Sequence, residues 1–72
     1  MVVETFLELV EATPFREIEL FLTDGRSFSV KHPDFIAIDA GSETVTVYHE
    51  KSAFADIIDI IAVVSVRHEV VG

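Results

Sequence analysis

His32 and Asp34 stand two residues apart in the string His32-Pro33-Asp34-Phe35. On one strand face, an H-x-D pair could hold a metal ion, with His49 or His68 completing the ligand set. The simpler reading is structural: His32 caps the bend before Pro33, and Asp34 starts a turn. The spacing matches no metal-site signature, and nothing in the pattern brings the other two histidines close. Asp56 and Asp59 form a second candidate pair. They would share a face on a helix and point opposite ways on a strand. The strand reading removes the acid/base pair and leaves Asp59 to accept backbone amides at a bend. A carboxylate inside an aliphatic run would be costly if buried without a partner. Ser27, Ser29 and Ser65 lack a nucleophile elbow, and the glycines build no phosphate loop. No catalytic residue, metal or cofactor is therefore expected, and no enzymatic activity; a small metal-binding or hydrolytic protein using His32, Asp34 and His49 is the outlying alternative.

A third set is basic and aromatic. Arg16, Arg26, Lys31, Lys51 and Arg67 could gather beside Phe21, Phe35 and Tyr48 and stack single-stranded RNA. Against them stand 13 acidic residues, for a formal charge of −8. That field repels nucleic acid and anionic membrane, because both affinities rest on Lys and Arg meeting phosphate. Scattered solubilising charge is the plainer account of the five bases.

The elements that must position these residues follow from periodicity. Val3, Phe6, Leu7 and Val10 fall on one helical face, with Glu4, Glu8 and Glu11 off it, which predicts a helix over about 3–12. Thr13-Pro14 ends it, since the residue before proline avoids the helical region. From Glu17 to Thr23 the chain alternates, with Ile18, Leu20 and Leu22 on one side. Asp24-Gly25 predicts a two-residue type I′ turn, with positive φ at both positions, leading to a partner strand over Arg26–Lys31 with Phe28 and Val30 together. Pro33 removes a ladder donor. A short strand over Phe35–Ile38, turn residues at Asp39-Ala40-Gly41-Ser42 and a strand over Thr44–His49 follow, the last with Val45 and Val47 inward. Phe54–Val66 is compatible with helix or strand; its β-branched residues favour a strand over Ala55–Ile58, a bend at Asp59 and a last strand over Ile61–Glu69. One domain over 1–72 results: mainly β, one N-terminal helix, then strands from about 17 to 69 in a small, strongly bent antiparallel sheet or barrel.

At 72 residues and 50% hydrophobic, with no cysteine, the chain has more apolar side chains than so small an interior holds. An exposed apolar surplus marks an interface. The chain is expected to form a homo-oligomer through edge strands and apolar faces, at Val63, Val64, Val66 and Phe21, with itself or another protein as partner. Absence of a signal core or membrane-length apolar run points to a cytoplasmic protein.

Two resemblances meet on these residues. Pro14-Phe15, Asp24-Gly25-Arg26, His32-Pro33-Asp34-Phe35-Ile36-Ala37 and Ile57-Ile58-Asp59-Ile60 resemble a group of short bacterial proteins that has no function to carry over. The opening helix, the hairpin at Leu22–Gly25 and the start of a strand at Asp34-Phe35-Ile36 resemble the Sm-like family, including its bacterial RNA-chaperone branch. This second resemblance implies an Sm-like or SH3-like barrel, assembly into rings, and an RNA pocket at Phe35, Tyr48, His49 and Lys51. Where that branch carries tyrosine-lysine-histidine, this chain reads Tyr48-His49-Glu50-Lys51, with an acid in place of a base.

Overall fold

The helical stripe read from the sequence is the one that docks. Helix α1 spans Val3–Val10; Phe6 and Val10 are buried, and Val3 and Leu7 half-buried. Such a short helix is marginal in water and owes its persistence to this contact. A computed structural model describes residues 1–11 and 14–69. The stop at Thr13 and the expected extension of the helix to residue 12 lie outside the described residues.

Six strands follow: β1 (Ile18–Leu22), β2 (Ser27–Val30), β3 (Ile36–Asp39), β4 (Thr44–Tyr48), β5 (Ala55–Asp59) and β6 (Val63–His68). They form two antiparallel three-stranded sheets, ordered β2-β1-β6 and β3-β4-β5, rather than one closed barrel. The fold is mainly β with one N-terminal helix, as the periodicities require. Ile18, Leu20, Leu22 and Val30 bury the inner face of the first sheet, and Val45, Val47 and Ile58 that of the second. Phe6, Val10, Ile60 and Val63 complete the core, and no polar or charged residue is buried among the described residues. Full burial of a side chain such as Leu20 contributes about 1.5–3 kcal/mol.

The first hairpin departs from the expected turn. The Gly25 N–H donates to the Leu22 carbonyl, and the Leu22 N–H to the Arg26 carbonyl. Only Gly25, at φ 90°, takes the left-handed conformation in this turn. This is a three-residue loop closed by a glycine, not a type I′ pair. Asp24 stabilises it by accepting the Arg26 N–H at 3.0 Å and the Arg26 Nε–H at 2.7 Å. The second hairpin uses the same device: Asp39 Oδ1 accepts the Gly41 and Ser42 N–H groups at 3.0 and 3.2 Å, and Glu43 closes the loop at φ 56°.

The ambiguous stretch resolves as strand, single 3-10 turn (Ile60–Ala62) and strand. Asp59 does not bind the amides of that bend. It is exposed and makes no capping bond, so no desolvation cost arises. The bend is held instead by backbone bonds: Ile60 N–H to Glu43, and Thr23 N–H to Ala62, both at 2.9 Å. The Met1 ammonium adds bonds to the Ile60, Ile61 and Val63 carbonyls.

Candidate functional site

Two regions gather the candidate residues: a small polar cavity between the sheets, and the apolar surface of the chain from Phe54 to Val64.

The cavity, of about 90 Å³, is lined by Ser29, Lys31, Phe35, Tyr48, His49 and Glu50. It unites three of the four residues that the RNA reading singled out, Phe35, Tyr48 and His49. Lys51 is exposed in the turn after β4 and does not line it; Lys31, at the end of β2, takes the basic position. The separation in sequence hides this exchange, because Lys31 reaches the cavity only when the first sheet packs beside the second.

His49 also anchors a row of contacts running from one sheet to the other. Its Nε2 lies 2.5 Å from Asp56 Oδ2, and its ring 6.2 Å from that of Phe28. The Arg26 guanidinium covers Phe28 at 5.6 Å from the ring centre, within cation–π range. Periodicity could not have found the His49–Asp56 pair. It depends on the β4–β5 register, which sets Val47 against Asp56.

The metal-ligand candidates are otherwise engaged. His32 caps the short 3-10 turn at Pro33–Phe35, its Nδ1 accepting the Asp34 N–H at 3.2 Å, as the structural reading of that string holds. His68 pairs across the first sheet with Ile18. Among the described residues no three His, Asp or Glu side chains converge as a metal site would require. Asp56 and Asp59 point to opposite sides of β5: Asp56 is half-buried and Asp59 exposed.

The interface candidates separate sharply. Val63 is fully buried in the core, which corrects its expected place at an interface. The cause is a bulge. Phe21 pairs with Ser65 and Leu22 with Val63, so Val64 is an extra residue on β6 with no partner on β1. The bulge restores Val63 to the inner face, beside a half-buried Val66, and pushes Val64 outward. Phe21 is half-buried beneath the Arg67 guanidinium, 5.7 Å from its ring centre, and Arg67 also pairs with Glu19. Along this part of the chain Phe54, Ile57, Ile61 and Val64 stay open, at 81, 75, 79 and 57% exposure. The sequence does not mark Phe54, Ile57 and Ile61 as interface residues, because their exposure depends on β5 standing at the edge of its sheet.

Comparison with protein-family models, curated proteins and solved structures finds no match. No helix is long and apolar enough to cross a membrane among the described residues.

Proposed function

We propose that this chain is a small self-associating interaction module without catalytic activity. One observation carries the reading: four of the six exposed large hydrophobics among the described residues, Phe54, Ile57, Ile61 and Val64, fall within a single stretch from just before β5 to the start of β6. Both of these strands are sheet edges. Exposed apolar side chains along an open edge are a template for another strand. The absolute mass in solution, by size-exclusion chromatography with light scattering, tests the idea. A discrete multiple of the chain mass is expected; a monomer at hundreds of micromolar retires it.

A second reading, single-stranded RNA binding, is favoured by the grouping of Phe35, Tyr48, His49 and Lys31 about one cavity. At about 90 Å³ the cavity is well below the roughly 300–1,000 Å³ of enclosing ligand pockets, so a base would stack across its mouth. Fluorescence anisotropy with oligo-uridine and oligo-adenosine at low salt decides it. Absence of binding at tens of micromolar protein rules it out.

A further inference from the structure

We infer that two copies of this chain pair through the open edge of β5, antiparallel, about a two-fold axis at Ile57; this rests on the self-association proposed above and gives it one surface and one symmetry. The direction of the backbone groups comes first. Ile60 donates its N–H to Glu43, continuing the register in which Asp59 opposes Thr44. Backbone polar groups alternate in direction along an antiparallel strand. Ile58 and Asp56 therefore turn theirs toward β4, and Ala55, Ile57 and Asp59 turn theirs toward the open edge. In antiparallel self-pairing centred on Ile57, Ile57 meets its own copy, and Ala55 meets Asp59 in both directions. Each of those pairs exchanges two backbone hydrogen bonds.

The side chains suit the same arrangement. Ile57, 75% exposed, would lie against Ile57 of the other copy. Asp59 would face an alanine, so the strand's outward carboxylates never meet across the axis. Phe54 just precedes the strand and Ile61 just follows it, both about four-fifths exposed. Antiparallel pairing sets the end of one copy's strand beside the start of the other's, so each Phe54 would find the second copy's Ile61. A parallel arrangement would bring Asp59 beside Asp59.

The remaining edges are worse templates. β6 carries the Val64 bulge, and its Val63 carbonyl accepts the Met1 ammonium at 2.7 Å. β2 and β3 run only four residues each, before and after the 3-10 turn at Pro33–Phe35. β5 has no proline, no lysine and no bulge; its inward charge, Asp56, is already held by His49.

The chain has no cysteine, so an Ile57→Cys variant carries one thiol. Opposed residues in an antiparallel pair are close enough for a disulfide. Under mild oxidation the variant should convert to a covalent dimer, while a Val64→Cys variant should not. Ile57→Lys, which opposes two ammonium groups, should raise the dimer dissociation constant at least about tenfold. Since each copy carries a charge of −8, added salt should tighten the wild-type dimer. An oligomeric wild type whose Ile57→Cys variant resists cross-linking overturns this pairing and leaves self-association standing. A monomeric wild type overturns both.

Discussion

The two sheets share an architecture and differ in what they show to solvent. Each has three antiparallel strands, one buried face, and a hairpin turn organised by an aspartate. On the outer face of the first sheet, the pairings align Ser29, Glu19 and Arg67 in one row and Ser27, Phe21 and Ser65 in the next. Its one aromatic ring lies under a guanidinium that is itself paired with Glu19. On the second sheet the corresponding rows are Ala37, Thr46 and Ile57, and Asp39, Thr44 and Asp59. No base stands there, and Ile57 is uncovered. An outer face can thus be made self-sufficient by one long cation folded over one ring, and without such a cation it stays available to a partner.

Breaking the first sheet's bulge logic should have the largest effect. Val63→Asp puts a carboxylate among fully buried apolar side chains, and its cost should exceed about 4 kcal/mol. Val64→Asp, one residue on and exposed, should stay within about 0.5 kcal/mol. Urea unfolding of the two variants measures the difference; equal losses would mean that β6 has no bulge at Val64.

Arg67→Ala sharpens the contrast between the faces. It uncovers Phe21 and removes the Glu19 pair, making the first sheet's outer face resemble the second's. Since Arg67 is largely exposed, the stability loss should be about 1 kcal/mol. Binding of an apolar dye should rise in parallel. A variant with unchanged stability and dye binding would show that Arg67 does not cover the ring in solution.

The smallest effect separates the two turns. The Arg26 N–H, and then its guanidinium, hold the Asp24 carboxyl below its usual value. The Ser42 hydroxyl, with the Ser42 and Gly41 N–H groups, does the same for Asp39. A carboxyl lowered by folding contributes stability that is complete above the unfolded value of 3.8 and is lost as pH falls through the lower folded value. Asp39→Asn keeps an acceptor but removes the titration. Its thermal midpoint should therefore fall less steeply than that of the wild type below about pH 4. Parallel curves would show that the Asp39 charge is not used.

Much of this is legible in the sequence itself. Alternation places Ile18, Leu20 and Leu22, and likewise Val45 and Val47, on inner faces, because a strand's period of two is a property of the backbone. The caps at His32, Asp24 and Asp39 act within three residues along the chain, so local sequence reaches them. Asp24-Gly25 marks the place of the first turn but not its kind, since loop length depends on where the ladder closes.

The candidate site was legible in part. Phe35, Tyr48 and His49 do come together, yet the cation beside them is Lys31, brought there by packing between sheets. Val63 illustrates the limit most clearly. Four β-branched or small residues in a row, Val63 to Val66, carry no mark of which one is extra. Local sequence determined the helix stripe, the strand periods and the caps, because those interactions span only a few residues. The tertiary structure alone decided the bulge, the His49–Asp56 pair and the uncovered edge of β5, because each depends on which strand lies alongside which, and in what register.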